Sequence, residues 1–78
     1  MKKTICILGS TGSIGENTLS VLDSKKKLFK IVTLAADSNY KKIIFQINKY
    51  KPKEFVINNH KIFLKVKNKF KNKNIKIF

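Results

Sequence analysis

The residues best suited to chemistry form a glycine-rich loop near the amino terminus. All three glycines of the 78-residue chain lie in the segment GSTGSIG, residues 9–15. Glycine lets a backbone turn sharply and lets a phosphate approach without interference from a Cβ atom. The hydroxyl groups of the loop and the N–H groups at the start of a following helix add hydrogen-bond donors. The loop therefore predicts a site for the pyrophosphate of a nucleotide.

The spacing of the glycines separates this loop from two related motifs. Its pattern is G-x-x-G-x-x-G, without the Gly-Lys-Ser/Thr ending of a P-loop, whose lysine reaches the terminal phosphates of a nucleoside triphosphate. It fits the dinucleotide fingerprint G-x-G-x-x-G only loosely. The alternative is a glycine-rich turn that binds nothing. The context, directly after a predicted strand and at the start of a predicted helix, favours phosphate binding.

A second polar group, Asp37, Ser38 and Asn39, follows the second predicted strand. In a Rossmann-type fold this position reaches the adenosine ribose of the cofactor. Asp37 can accept a hydrogen bond from a ribose 2′-hydroxyl, which favours NAD. Ser38 and Asn39, with Lys41 or Lys42 nearby, can instead hold the 2′-phosphate of NADP. Asp37 or Asn39 can equally be a plain helix N-cap, so the residues alone leave this choice open.

The other residues able to do chemistry are scattered. The four acids form no cluster typical of a metal site: Glu16, Asp23, Asp37 and Glu54. His60 follows a predicted cap and is interpreted as a surface residue at a helix start. Cys6 has no second cysteine and lies in an apolar run, which predicts a small buried hydrophobic side chain. No catalytic residue can be named.

The elements that position the two polar groups alternate between strand and helix. Apolar runs at residues 4–8, 31–36, 54–57 and 75–78 predict strands. A helix is expected from Ile14 to about Ser24, with an apolar side that contains Ile14, Thr18, Val21 and Leu22. The clearest helix has Tyr40, Ile43, Ile44 and Ile47 on one stripe and ends before Pro52. A lysine-rich third helix follows Asn58 and Asn59.

This order predicts an α/β fold, a Rossmann-like βαβ series with a parallel sheet of about four strands and three helices. The helices can cover little more than one face of such a sheet. The remaining apolar face makes the fold incomplete as a doubly wound domain. We therefore expect an amino-terminal piece of a longer protein, or a domain that docks against a partner.

The net charge of +14 raises the possibility of a basic βαβ module that binds nucleic acid. The 18 basic residues are all lysine, and lysine is poorly suited to bidentate contacts with guanine or phosphate. Lysine also has only A/T-rich codons, so an AT-rich coding sequence accounts for the bias. No apolar run has the length of a membrane span or a signal peptide. The sequence thus predicts a cytoplasmic protein with no nucleic-acid or membrane partner.

Several segments of the chain resemble one family. They are ILGSTGSIG at residues 7–15, Thr18-Leu19, FKIV at residues 29–32, Leu34-Ala35-Ala36 with Asn39, and Lys51-Pro52 before Phe55-Val56. Together they are similar to the amino terminus of the 1-deoxy-D-xylulose 5-phosphate reductoisomerases. The resemblance runs along the whole chain, which would make residues 1–78 the amino-terminal part of an NADP-binding Rossmann-like domain.

The resemblance implies an NADPH-dependent oxidoreductase of the non-mevalonate route of isoprenoid biosynthesis. Such an enzyme isomerises and reduces 1-deoxy-D-xylulose 5-phosphate to 2-C-methyl-D-erythritol 4-phosphate, uses Mg or Mn, and is expected to be a homodimer. The matching cofactor residues are Thr11, Gly12, Ser13 and Ile14 at the pyrophosphate and Asp37, Ser38 and Asn39 at the 2′-phosphate.

Asp37 departs from the family pattern, since many members have glycine or a neutral residue there. The metal ligands, the catalytic and carboxy-terminal domains and the substrate-phosphate site are implied to lie beyond residue 78. The 78 residues alone are therefore expected to be inactive, and an inactive truncated remnant is a further alternative to the enzyme.

Overall fold

The computed structural model describes residues 2–78 and has the predicted α/β architecture. Four strands alternate with three helices along the chain. The elements are β1 (Lys3–Leu8), α1 (Ser13–Ser24), β2 (Phe29–Ala36), α2 (Tyr40–Tyr50), β3 (Glu54–Ile57), α3 (His60–Lys69) and β4 (Lys76–Ile77). Every predicted element is present in the predicted order, and the bounds of β3 are those expected from the sequence.

The four strands form one parallel sheet in the order β1-β2-β3-β4. Because each crossover steps in the same direction, right-handed connections place all three helices on one face. That face carries the core, in which apolar residues of the strands pack against Leu19, Ile43, Ile47 and Val66 of the helices. The result is a two-layer structure with extents of 34 × 27 × 15 Å.

A register shift in β1 and β2 decides which side chains of β2 face the helices. Ile5 pairs with Ile31, but the next residue, Cys6, pairs with Thr33, so β2 contains one extra residue. An extra residue reverses the alternation of side chains along a strand. Ile31 packs against the core before the shift, and Leu34 is buried in it after the shift. The bulge thus keeps apolar residues on the helical face along the whole strand.

Asparagine side chains cap the amino termini of two of the helices. The Oδ1 atom of Asn39 accepts a hydrogen bond from the N–H of Lys42 at 3.2 Å, and Asn59 caps α3 in the same way through the N–H of Ile62 at 3.1 Å. Lys51 ends α2 in the left-handed conformation with φ of 49°, directly before Pro52. The N-cap alternative for Asn39 is therefore correct, and the cap fixes where α2 begins.

Two sequence predictions about burial are wrong. Cys6 is exposed, because it lies on the sheet face that no helix of the described residues covers. In α1 the buried positions are Gly15 and Leu19, whereas Ile14 is 83% exposed and Val21 is 56% exposed. The tight approach of α1 to the sheet at Gly15 turns the side with Ile14 and Val21 outwards. His60 lies at the surface at the start of α3, as predicted.

Candidate functional site

The glycine-rich loop follows the carboxyl end of β1 and is hydrogen-bonded to the neighbouring strand β2. Gly9 has φ of +70°, a conformation that favours glycine. The N–H of Ser10 donates to the carbonyl oxygen of Ala35 in β2 at 2.9 Å. The N–H of Gly12 then donates back to the carbonyl of Gly9 at 3.1 Å. These bonds fold the loop into a tight turn over the ends of the first two strands.

The three glycines of the loop are required for different reasons. Gly9 is required by its backbone conformation. A Cβ atom on Gly15 would lie 2.2 Å from the carbonyl oxygen of Gly9, so only glycine allows α1 to approach the loop this closely. A Cβ atom on Gly12 would meet the same oxygen at 3.5 Å, an ordinary contact. The fold of the chain therefore explains Gly9 and Gly15 but does not require glycine at position 12.

The loop leads into the amino terminus of α1, whose first N–H groups have no side-chain cap. Gly12 is the N-cap and has no side chain to satisfy these groups. Ser13 and Ile14 in the first turn are exposed to solvent, and Thr11 is half-buried beside them. A helix start with unsatisfied N–H groups carries a partial positive charge and suits an anionic phosphate.

The second predicted polar group lies at the same edge of the sheet. Asp37, Ser38 and Asn39 are exposed in the turn after β2. The carbonyl of Asp37 accepts from the N–H of Asn59 at 3.1 Å, which ties this turn to the turn after β3. The capping bond of Asn39 uses only its Oδ1 atom, so its NH₂ group is not needed for the cap.

A shallow pocket extends from Gly9, at the start of the glycine-rich loop, to Asp37 in the turn after β2. Its volume is about 310 Å³, and it is lined by Gly9, Ala35, Ala36, Asp37, Val56 and Asn58. It lies at the carboxyl ends of the first three strands, the edge at which open α/β sheets bind their ligands. The structure therefore brings the residues predicted from the sequence to one edge, with a concave surface between them.

Two residues of α2 that were not predicted to lie at the loop contact it directly. Lys42 forms an ion pair with Glu16 of α1, and its Nζ atom lies 3.5 Å from the carbonyl oxygen of Thr11. Gln46 lies one turn further along and donates from Nε2 to the carbonyl oxygen of Ser10 at 2.7 Å. Helical periodicity predicted Gln46 on the polar side of α2, opposite the apolar stripe, but its side chain is buried. No sequence signal identified its partner 36 residues away.

Within residues 2–78, no group of three or more His, Cys, Asp or Glu side chains is placed to hold a metal ion. None of the helices described is both long enough and apolar enough to cross a membrane.

Comparison with known sequences identifies the family. The sequence model of 1-deoxy-D-xylulose 5-phosphate reductoisomerase matches residues 5–78. The chain belongs to this family. A reductoisomerase of Clostridium novyi (strain NT) is 48% identical over 75 residues, which are 96% of this chain and 20% of that protein. The reductoisomerase of Pelagibacter ubique (strain HTCC1062) is 38% identical over 76 residues, 97% of this chain and 20% of that protein.

Solved structures of reductoisomerases share the fold. The enzyme of Zymomonas mobilis in complex with NADPH has a TM-score of 0.89 at 23% identity, covering 99% of this chain and 20% of that one. A reductoisomerase in complex with NADPH, fosmidomycin and magnesium also has a TM-score of 0.89, at 22% identity, covering 97% of this chain and 19% of that one. The chain therefore spans about a fifth of the length of these relatives.

Proposed function

We propose that this chain is the NADPH-binding amino-terminal segment of a 1-deoxy-D-xylulose 5-phosphate reductoisomerase. The observation that carries the proposal is Gly12, which the fold does not require to be glycine and which lies where a phosphate must approach the backbone. Membership of the family and the solved relatives that hold NADPH support the identity of the ligand. Residues 1–78 are then the first part of an NADP-binding Rossmann-like domain.

Each predicted site residue has a role in this proposal. Backbone N–H groups of Thr11, Ser13 and Ile14 bind the pyrophosphate, Gly12 lets it approach the backbone, and the first turn of α1 adds its partial charge. The hydroxyl of Ser38 and the NH₂ group of Asn39 donate to the 2′-phosphate. The carboxylate of Asp37 opposes that phosphate, and we propose that neighbouring lysines of α2 offset its charge.

NADPH supplies the hydride that reduces the rearranged sugar phosphate to 2-C-methyl-D-erythritol 4-phosphate. The chain's own contribution is to bind and orient the cofactor at the edge of the sheet. The divalent metal, Mg or Mn, is held by residues of the whole enzyme outside this chain. We propose that this enzyme is a cytoplasmic homodimer without a nucleic-acid or membrane partner.

The test is a titration of the ¹⁵N-labelled chain with NADP⁺, followed through its backbone amide signals by NMR. We expect the amides of residues 9–15 and 37–39 to shift together with one dissociation constant. The Gly12→Val variant should keep the dispersed spectrum of a folded chain and lose these shifts, because two methyl groups occupy the space of the phosphate. Thr18→Val, on the exposed side of α1, is the matched control and should bind like the wild type.

A second measurement places the chain in a complete enzyme. In a hybrid enzyme, residues 1–78 replace the matching segment of the Clostridium novyi relative, and NADPH-dependent reduction of 1-deoxy-D-xylulose 5-phosphate is measured. Activity that depends on Gly12 supports the proposal. Amide shifts confined to other parts of the chain, or NADPH affinity in the hybrid enzyme that Gly12→Val leaves unchanged, would remove the loop from the cofactor site.

A further inference from the structure

A buried side-chain amide holds the glycine-rich loop from below. Gln46 is only 3% exposed, and Ser10, whose carbonyl oxygen it binds at 2.7 Å, is fully buried. Both backbone polar groups of Ser10 are thus held, because its N–H donates to the carbonyl oxygen of Ala35 and its carbonyl oxygen accepts from Gln46. No other side chain of the described residues hydrogen-bonds to the Ser10 backbone.

Packing alone does not explain an amide at this position. The Oε1 atom of Gln46 is buried and has no hydrogen-bond partner among residues 2–78. An unpaired buried polar atom destabilises the folded state. A leucine of similar volume would fill the same space between α1 and α2 without that cost. The unpaired Oε1 atom therefore makes glutamine less favourable than leucine for packing. What glutamine adds is the hydrogen bond to Ser10, which leucine cannot form.

The geometry of the peptide bond connects this contact to the phosphate site. The carbonyl of Ser10 and the N–H of Thr11 belong to one planar trans peptide, in which they point in opposite directions. A bond that draws the carbonyl towards α2 therefore aims the N–H of Thr11 away from α2. That N–H is the first of the donors assigned to the pyrophosphate.

We propose that Gln46 is a positioning residue for cofactor binding, which fixes the Ser10–Thr11 peptide so that the loop is ready for the pyrophosphate before NADPH arrives. The inference rests on the proposed function, since it concerns the same site. It goes further in assigning part of the affinity for the cofactor to a side chain that does not touch it. A preorganised loop loses less conformational freedom on binding than a mobile one.

The first test compares Gln46→Leu with the wild-type chain by NMR titration with NADP⁺. We expect Gln46→Leu to raise the dissociation constant for NADP⁺ about tenfold, which corresponds to about 1.4 kcal/mol of binding free energy. The control is Asn48→Leu, the same kind of change on the exposed side of α2, which should leave the affinity unchanged. In the hybrid enzyme, Gln46→Leu should raise the KM for NADPH by a similar factor and leave kcat at saturating NADPH within about twofold.

The second variant, Gln46→Glu, tests whether residue 46 acts as a hydrogen-bond donor or only fills space. A protonated carboxyl can donate to the Ser10 carbonyl, whereas a carboxylate repels it. The charged groups that line the same groove are Glu16, Lys41 and Lys42, with Tyr50 beside them. Burial, together with Asp23 and Glu16, raises the pKa of the Tyr50 phenol, so Tyr50 stays neutral throughout the test.

We expect Gln46→Glu to bind NADP⁺ within about twofold of the wild type at pH 5 and at least tenfold more weakly at pH 8, with each affinity divided by that of the wild type at the same pH. This ratio removes the titration of the 2′-phosphate itself. A purely structural role predicts the same ratio at both pH values.

The outcomes distinguish this inference from the proposed function. If the wild-type chain and the hybrid enzyme bind NADPH but both Gln46 variants bind equally well, the positioning role is wrong and the proposed function stands. If neither wild-type protein binds NADPH at residues 9–15, the proposed function itself fails. Should Gln46→Leu lose its folded spectrum, the pH ratio of Gln46→Glu in the hybrid enzyme decides.

Discussion

Individual residues of the loop separate what the fold needs from what a ligand needs. Gly9 turns the chain with a positive φ, and Gly15 allows α1 to touch the loop. A Cβ atom on Gly12 would make only an ordinary contact with the rest of the chain. Substitutions at Gly12 and Gly15 should therefore separate binding from stability.

Gly15→Ala is expected to destabilise the fold strongly. Its Cβ atom would lie 2.2 Å from a backbone oxygen, which cannot move without disrupting the turn. We expect the free energy of unfolding to fall by about 3 kcal/mol, at the upper end of overpacking effects. Gly12→Ala is the matched control and should cost less than about 1 kcal/mol, because its N-cap position has room for a methyl group. Urea denaturation measures both, and equal losses would contradict the assignment of Gly15 to packing.

Asp37 is expected to reduce the preference for NADPH. Its carboxylate is exposed in the turn assigned to the 2′-phosphate, where it repels a dianion and can accept from a bare 2′-hydroxyl. Asp37→Gly should raise the ratio of NADPH to NADH affinity about fivefold, the effect of removing a like charge at an exposed site. Asp37→Asn keeps the shape and should give most of the same gain. A wild-type preference for NADH would show that Asp37, and not the family resemblance, determines the cofactor.

At the scale of elements, the sequence predicted what is local and missed what depends on contact between elements. Asn39, Asn59 and the apolar stripe of α2 are local signals, and both caps and α2 are confirmed. The face of α1 depends on how closely Gly15 approaches the loop, so periodicity predicted burial wrongly for Ile14 and Val21, although Leu22 packs against the core. The contact from Gln46 to Ser10 joins distant parts of the chain, and no local pattern predicts it.

The exposed face of the sheet gives a prediction about Cys6. Cys6, Leu8 and Val56 lie on this face, and Leu8 is 82% exposed. In the 78-residue chain, iodoacetamide should therefore modify Cys6 at a rate within about threefold of that in the urea-unfolded chain. In the hybrid enzyme we expect modification at least tenfold slower, because an exposed apolar face of this kind is a contact surface.

Mass spectrometry of the peptide that contains Cys6 measures both rates. Leu8→Ser is a control that changes the same face without altering the thiol. A native chain that protects Cys6 as well as the hybrid enzyme does would contradict the exposed position of this strand face.

For the molecule as a whole, the sequence predicted the fold class and the edge at which the candidate site lies. This was possible because βαβ order, right-handed crossovers and a glycine loop after β1 determine where the carboxyl ends of the strands meet. The composition gives the total positive charge but does not show where the lysine side chains lie. In the structure, several lysines lie over aromatic rings of the same chain: Lys49 over Phe45 and Tyr50, Lys65 over Tyr40, and Lys67 over Phe63.

This arrangement leads to a prediction about nucleic acids. Single-strand binders stack bases on exposed aromatic rings, but here the Nζ atoms of lysines lie 5.3–5.6 Å from the ring centres. Any binding should therefore come from the charge of +14 alone and depend steeply on salt. We compare two labelled single-stranded oligonucleotides that have the same composition and different base orders. We expect them to bind equally at 50 mM salt and at least tenfold more weakly at 200 mM, as measured by fluorescence anisotropy. Sequence-selective binding that persists at 200 mM salt would instead support the basic-module interpretation, because counterion release cannot distinguish one base order from another.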